Sequence, residues 1–303
     1  MAIVIEQVLL LLAFAAAGYL LSKRKVISTS HSKLLSALCL YIFLPSKVLS
    51  TFATRFTPAY LGQCYTLLLG AAAILVVLIL AAIPISHLMS KDGYTQNIYQ
   101  YSLIISNYGY IGYAMAEGIF GQSVLLDLMM FAIPISLYTY TIGYAMLAGG
   151  KLSFKKLINP VTLAMVAGAT VGLSGLQMPN LANRFLSNAA ACMSPCSMLL
   201  MGNVIAEFSF KQLLRHRECY VIVALRLLVI PIAVTAVLRL LGLTMLELPA
   251  LLFLAMPTGM NTIVIPKLIG KDYEPGAEMA LISSVLCCIT IPICLLIFGY
   301  GIG

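Results

Sequence analysis

Hydrophobic residues make up 61% of the 303-residue chain and charged residues only 9%, whereas a soluble domain is about 45–50% apolar and about 25% charged. Water is therefore not the main solvent, and we predict an all-α membrane protein embedded in the lipid bilayer. The net charge of +8 comes from basic residues dispersed among the short segments between apolar runs. This scatter is typical of membrane-protein loops and argues against nucleic acid as a partner.

Windows of about 19 apolar residues predict ten transmembrane helices. Five lie in the first half, at Ala2–Leu21, Lys33–Phe52, Tyr60–Met89, Asn97–Phe120 and Val124–Leu147. Five lie in the second half, at Pro160–Leu176, Leu181–Phe208, Cys219–Leu241, Leu246–Ile269 and Glu278–Tyr300. The runs are continuous, which favours helices over barrel strands. The N-terminus has no basic region or small-residue cleavage site, so we expect the first helix to be retained.

The distribution of Lys and Arg predicts the orientation. Loops after odd-numbered helices hold Lys23, Arg24, Lys25, Lys33, Lys91, Lys151, Lys155, Lys156, Lys211, Arg215, Arg217 and Lys271. Loops after even-numbered helices hold only Arg55, Arg184 and Arg239. Because basic loops stay in the cytoplasm, we predict a multi-pass protein of the inner or plasma membrane with both termini outside the cytoplasm.

Residues that could hold a metal or perform catalysis are few and dispersed. Cys192 and Cys196 are one helical turn apart and could share a metal, but neither has a His nearby. The three histidines, His31, His87 and His216, are spread along the chain, as are the ten acidic residues. Membrane enzymes need such groups clustered. We therefore predict no enzyme, no metal and no cofactor.

An internal repeat divides the chain into residues 1–150 and 151–303, with five helices each and opposite orientation. A shift of 150 residues places Ala17-Gly18 on Ala167-Gly168, Pro45 on Pro195, and Gly109 on Gly259. Chance matches are expected in so apolar a chain, but these fall in equivalent helices at one constant offset. We expect Pro45 and Pro195 to act as helix breaks or hinges. Inverted repeats are typical of transporters whose substrate binds at the repeat interface.

Helices four and nine carry polar and helix-breaking residues near their midpoints. Helix four holds Asn107 beside Gly109, and Asn is a favoured N-cap, so we expect it to cap a second half-helix. Helix nine holds Pro257, which lacks an N–H and is favoured at the first helical position, so we expect it to open a second half-helix. The bland alternative is that these Gly and Pro residues only permit close helix packing.

Two second half-helices starting at midplane would converge with their positive ends. Two helix N-termini form a natural anion site, and a carboxylate fits it. The predicted substrate-binding residues are Asn107, Tyr108, Gly109, Thr258, Gly259 and Asn261, joined by Ser46 and Lys47 of helix two. Lys47 could either attract the anion or reach the outer interface. Asp127, Glu117 and Arg226 are candidates for a proton relay, although each lies near a helix end.

Several motifs along the chain resemble the auxin efflux carrier family, which includes bacterial, yeast and plant members. They are the segment from Gly18 to Ser28, Leu44-Pro45, Asn107-x-Gly109-x-Ile111-Gly112, Asn159-Pro160, Ala255-Met256-Pro257 and Gly270-Lys271-Asp272. The resemblance covers essentially the whole chain. It extends to the bile acid transporters, which share this architecture.

The resemblance implies ten helices in two inverted five-helix repeats, with helices four and nine broken and crossing. It further implies a scaffold of helices one, two, six and seven, a transport domain of helices three to five and eight to ten, elevator-type movement and a homodimer. The crossover site would comprise Asn107 and the backbone around Gly109, Thr258 and Gly259. The family usually has a Pro where this chain has Ala114, so helix four is expected to be less sharply broken than helix nine.

The leading hypothesis is therefore a secondary transporter, exporting a small mono- or dicarboxylate. A sodium-coupled organic anion symporter of the bile acid transporter type is the alternative within transport. A membrane receptor or a channel is the alternative from another class, although channels usually repeat like residues around a symmetric pore. A site built from backbone N–H groups reads charge more than shape, so the substrate, the coupling ion and the direction of transport do not follow from the sequence.

Overall fold

The computed structural model describes residues 2–27, 29–150, 157–207 and 216–300. Within these ranges the regular secondary structure is helical, and the only β-type pairing is one isolated antiparallel bridge between Ser106 and Thr258. The all-α prediction is confirmed. Residues used above that lie outside the described ranges are Ser28, Lys151, Lys155, Lys156, Phe208, Lys211 and Arg215.

Eight α-helices lie in the first half of the chain. They are α1 (Ala2–Lys23), α2 (Thr29–Leu38), α3 (Leu44–Arg55), α4 (Pro58–Met89), α5 (Gly93–Ile104), α6 (Tyr113–Met115), α7 (Gly121–Tyr138) and α8 (Tyr144–Ala148). Wider π-helical turns join several of them, at Cys39–Phe43, Tyr108–Gly112, Ala116–Phe120 and Thr139–Gly143.

Eight more helices are described in the second half. They are α9 (Pro160–Ser174), α10 (Asn180–Ala191), α11 (Met193–Glu207), α12 (Arg217–Ala224), α13 (Ile230–Leu240), α14 (Thr244–Leu254), α15 (Asn261–Leu268) and α16 (Glu274–Ile297). A π-helical turn at Leu225–Val229 joins α12 to α13.

Local chemistry explains several helix ends. Asn159 caps α9, its side-chain oxygen accepting from the N–H groups of Val161 and Thr162 at 3.0 Å each, and Pro160 pre-sets the backbone of the first turn. The same helix ends at Gly175, whose φ of 67° is left-handed, a conformation that favours glycine. Asp92 caps α5 by accepting from the N–H of Thr95 at 2.7 Å.

Six described stretches are long and apolar enough to cross a membrane. They are Leu34–Arg55, Pro58–Met89, Tyr108–Ala148, Asn180–Ala206, Arg217–Leu240 and Glu274–Ile297. Three shorter apolar helices accompany them, at Leu9–Lys23, Pro160–Ser174 and Thr244–Leu254. These lengths establish several membrane crossings, while the count of ten and the orientation of the termini remain predictions.

The chain divides into two compact units, each built from three segments. Unit 1 comprises Met1–Tyr65, Gly109–Met129 and Ile158–Ser209, and unit 2 comprises Thr66–Tyr108, Met130–Leu157 and Phe210–Gly303. The predicted halves, 1–150 and 151–303, and the predicted scaffold and transport domains remain predictions.

Within unit 1, α1 packs against α11 and α3 packs against α9. Glycine permits both approaches, because a Cβ on Gly18 would overlap the backbone oxygen of Leu199 and one on Gly168 would overlap that of Leu49. Gly18 and Gly168 are 150 residues apart, and so are their partners Leu49 and Leu199. One contact thus occurs twice at the offset found in the sequence, which is what an inverted repeat would produce.

Candidate functional site

Predicted helices four and nine are both interrupted. The first interruption covers residues 105–107, between the end of α5 and the π-helical turn Tyr108–Gly112. The second covers residues 255–260, between α14 and α15. The first is the shorter, in agreement with the expectation from Ala114 that helix four is less sharply broken.

The two interruptions pair with each other inside unit 2. The N–H of Asn107 donates to the carbonyl of Pro257 at 2.7 Å, and the N–H of Gly259 donates to the carbonyl of Ile105 at 3.4 Å. Ser106 and Thr258 lie opposite each other as an antiparallel bridge between these bonds. The extended segments therefore satisfy part of each other's backbone where the helices cannot, and we call this pairing the crossover.

The sequence analysis was wrong about how the second half-helices begin. Pro257 does not open α15, which starts four residues later at Asn261, because the Pro257 carbonyl is already used by the crossover. No described residue forms a hydrogen bond with the side-chain amide of Asn107, so it does not act as a helix cap. The first turn of α15 is also tightened, since Gly259 accepts from the N–H of Thr262, and it offers fewer free N–H groups than expected.

Arg226 ties together the two half-helices that precede the interruptions. Its Nη1 donates to the carbonyl of Leu103 at 2.8 Å and its Nη2 donates to that of Phe253 at 3.2 Å. Both carbonyls have lost their usual helical donors, because the N–H of Asn107 is turned to Pro257 and Pro257 has no N–H. A single guanidinium therefore satisfies the helix ends left open by both breaks.

This guanidinium is buried without a negative partner. Arg226 is 0% exposed, and no described carboxylate forms an ion pair with it. It lies 5.6 Å from the centre of the Phe253 ring, and its Nε has no hydrogen-bond partner in the described part of the chain. Its positive charge is balanced only by carbonyl dipoles at two helix C-termini and by an aromatic face.

Polar side chains around the crossover also lack partners. The hydroxyls of Ser102, Ser106 and Thr258 are buried, and each is without a hydrogen bond to any described residue. Asn107, the residue after Ser106, is itself buried at 6% exposed. Unpaired buried polar groups cost free energy and are uncommon in native proteins. Three of them, the hydroxyls of Ser102, Ser106 and Thr258, lie within two turns of the crossover and indicate a place where a polar ligand or water belongs.

Two predicted site residues, Asn261 and Tyr108, form hydrogen bonds beside the crossover. Asn261 donates its amide N–H to the hydroxyl of Tyr101 at 2.8 Å. Tyr108 hydrogen-bonds through its hydroxyl with Ser136 at 2.6 Å, and its ring packs on that of Phe253 at a centroid distance of 5.2 Å. The N–H of Thr258 donates to the hydroxyl of Ser283 at 3.0 Å, so α16 also supports the bridge.

The remaining predicted residues of helix two and helix four belong to unit 1. Lys47 is buried beside Ser46 and forms an ion pair with Glu117, so its ammonium does not extend to a surface. A Cβ on Gly109 would meet no atom within 4 Å. The roles of Ser46, Lys47 and Gly109 in substrate binding remain predictions.

The other proton-relay candidate of unit 1, Asp127, accepts a hydrogen bond from the hydroxyl of Tyr60 at 2.5 Å. Pro45 and Pro195 both follow a local irregularity. The first comes after the π-helical turn Cys39–Phe43, and the second comes shortly after the non-helical residue Cys192 between α10 and α11.

Sequence reasoning missed how Arg226 is used, and it missed Ser102, Ser106 and Tyr101. It placed Arg226 near a helix end, whereas the fold buries it completely. A signal was available: an Arg inside an apolar run needs polar partners, and two broken helices supply unpaired carbonyls. Ser106 directly precedes Asn107 and could have been included with it.

Several apolar membrane-length helices, together with shorter helices that end at a polar crossover, define a polytopic helical membrane protein. The sequence model of the membrane transport protein family matches residues 3–295. The chain therefore belongs to this family of transporters, which covers the auxin efflux carriers, and the resemblance described above is confirmed. The search of curated proteins found no match. The family is one of membrane transport rather than of enzymes.

Proposed function

We propose that the protein is a secondary transporter of a small organic anion, a mono- or dicarboxylate, which binds at the crossover in unit 2. The observation that supports this most directly is the buried guanidinium of Arg226, which has no carboxylate partner among the described residues. A buried charge is costly unless it is paired. A substrate carboxylate would supply the missing negative charge.

The neighbouring groups suit the same ligand. The hydroxyls of Ser106 and Thr258 are donors that no described residue uses, and the buried amide of Asn107 follows Ser106 directly. The N-terminus of α15 adds the positive end of a helix dipole, which favours an anion even though some of its N–H groups are satisfied. A carboxylate accepts several such bonds at once, whereas a cation would meet the charge of Arg226 unfavourably.

Alternating access by an elevator-type movement, and export as its direction, complete the proposal. The contact of Gly18 with Leu199 and its counterpart of Gly168 with Leu49 support the inverted repeat on which such movement depends. The resemblance to auxin efflux carriers supports export, a homodimer and helices one, two, six and seven as scaffold.

Counterflow of labelled carboxylates into proteoliposomes tests the proposal, with Ser106→Ala, Thr258→Val and Asn107→Leu as variants. Because none of these side chains has a partner among the described residues, removing them should leave the unfolding temperature of the ligand-free protein nearly unchanged. Counterflow and stabilisation by carboxylate should both be lost. Thr235→Val is the matched control, since Thr235 also has a buried, unpartnered hydroxyl but lies in α13, outside both interruptions.

Two results would contradict the proposal. Undiminished counterflow in all three variants would place the site elsewhere. Counterflow that requires sodium on the same side as the carboxylate would instead favour the sodium-coupled symporter.

A further inference from the structure

A second polar cluster lies in unit 2 where α12 and α16 begin. His216, Cys219 and Glu278 place a ring nitrogen, a thiol sulfur and a carboxylate oxygen within 4.8 Å of one another. The Nδ1 of His216 and the Oε2 of Glu278 are 2.9 Å apart. Cys219 is fully buried and Glu278 is 3% exposed, whereas the side chain of His216 is 32% exposed.

This combination of atoms suits one class of metal ion. Nitrogen, sulfur and oxygen donors together are the ligands of Zn²⁺ and similar borderline ions, whereas Mg²⁺ and Ca²⁺ take oxygen alone. Donor atoms around a tetrahedral zinc lie about 3.3–3.7 Å apart. The three donor atoms of the cluster lie within 4.8 Å of one another, so side-chain rotations that move them by about 1 Å would reach this spacing.

The charges of the three side chains and the hydrogen bonds around them favour the same class of ion. A thiolate and a carboxylate would bring two negative charges, which match the charge of Zn²⁺, and the exposed edge of His216 leaves a path for entry. The backbone N–H of His216 donates to Oε2 of Glu278 at 3.3 Å and can orient the carboxylate. Supporting hydrogen bonds of this kind are typical around metal ligands.

We propose that His216, Cys219 and Glu278 form a binding site for Zn²⁺ or a similar transition-metal ion, with a fourth position left to water. Binding exchanges the thiol proton of Cys219, which goes to solvent, for a metal–sulfur bond. The ion joins the first turn of α12 to the start of α16. This site is separate in residues from the crossover, and the proposal does not depend on which substrate is carried.

Cobalt absorption and metal content test the site on the purified full-length protein in detergent. Co²⁺ should produce a near-ultraviolet thiolate-to-cobalt charge-transfer band, and dialysis against Zn²⁺ should leave about one ion per chain. Cys219→Ser should abolish the band, and His216→Ala should lower the bound zinc at least tenfold. Cys192→Ser is the control, since Cys192 is an exposed cysteine of unit 1 and should retain both signals.

His216→Ala keeps the test valid if Cys219→Ser fails to fold, because the His216 side chain is partly exposed. The proposal is overturned if the unmodified protein shows neither band nor bound zinc. It is also overturned if His216→Ala binds zinc as well as the unmodified protein does. Magnesium in the same dialysis should not compete, and competition by Mg²⁺ would contradict the assigned metal class.

Discussion

Among the residues that the structure describes, two cationic side chains are buried, and the two are neutralised in different ways. Lys47 of unit 1 is 6% exposed and meets a carboxylate, that of Glu117. Arg226 of unit 2 is 0% exposed and meets two backbone carbonyls. The first charge is cancelled within the protein, whereas the second is only solvated by dipoles. Of the two, Arg226 is the one that gains from an incoming anion.

The chemistry of each side chain suits its place. A guanidinium is planar, weakly hydrated and carries donors in a fixed fork, so it can reach two carbonyls on different helices. An ammonium is a compact and strongly hydrated point charge, which is best placed against one carboxylate. Under the proposed function, a buried cation of this protein indicates a ligand site only where no acid accompanies it.

The largest expected effect comes from Arg226→Met. It leaves the carbonyls of Leu103 and Phe253 buried without donors, at about 1–3 kcal/mol each. We expect the unfolding temperature to fall sharply and carboxylate to stabilise the protein no longer. A thiol-reactive dye suits this measurement, because most of the described cysteines are buried until the protein unfolds.

Arg226→Lys distinguishes the contribution of the positive charge from that of the forked guanidinium donors. It keeps a cation but cannot hold both helix ends with the same geometry, so stability should fall by less and part of the carboxylate effect should remain. If Arg226→Met were as stable and as responsive to carboxylate as the unmodified protein, the contrast between the two cations would have no functional meaning.

A smaller loss of stability is expected when the ion pair between Lys47 and Glu117 is broken. Lys47→Met or Glu117→Gln alone should destabilise the protein by about 1–2 kcal/mol, less than the ~3–5 kcal/mol of a fully buried pair because the Glu117 side chain is 30% exposed. The double variant should recover most of this loss, because neither charge is then left alone. A double-mutant cycle of unfolding free energies measures the coupling. Additive losses would show that the pair contributes nothing.

The smallest expected loss of stability comes from an exposed carboxylate, that of Asp92, and it serves as a reference for the buried charges. Hydrogen bonds from Thr95 lower the pKa of Asp92, which caps α5 outside the membrane-length helices. Its stabilisation is complete above the ordinary aspartate pKa and is lost as pH falls through the lowered value. Asp92→Ala should cost about 0.5–1 kcal/mol at neutral pH. The stability difference between Asp92→Ala and the unmodified protein should become smaller at acidic pH, as measured by unfolding curves. A difference that grows as the pH falls would contradict the capping role of Asp92.

Helix positions and the two interruptions could be predicted because they depend on local features. Continuous apolar runs specify helices, and Pro257 and the residues around Asn107 specify breaks. The offset of 150 residues also predicted which glycines would be equivalent, and the structure places Gly18 and Gly168 in matching contacts.

What could not be predicted depends on contacts between distant segments. The start of α15 at Asn261 follows from the use of the Pro257 carbonyl by Asn107, which no local pattern reveals. At the offset of 150 residues, Val76 corresponds to Arg226, so the offset gave no indication that one arginine serves both breaks. The cluster of His216, Cys219 and Glu278 was missed because Glu278 is far from His216 in the chain.

The glycine contacts of unit 1 have a consequence for biosynthesis. The face of α1 around Gly18 is completed by Leu199 of α11, a helix that leaves the ribosome long after α1 has entered the bilayer. Until α11 is inserted, this small-residue face of α1 has no packing partner and is exposed to lipids or chaperones. The matching face of α9 has no such delay, because its partner α3 is already in place when α9 is made. The two matching glycine contacts are thus completed at different times, and a substitution of Gly18 in α1 exposes the nascent chain for longer than the same substitution of Gly168 in α9.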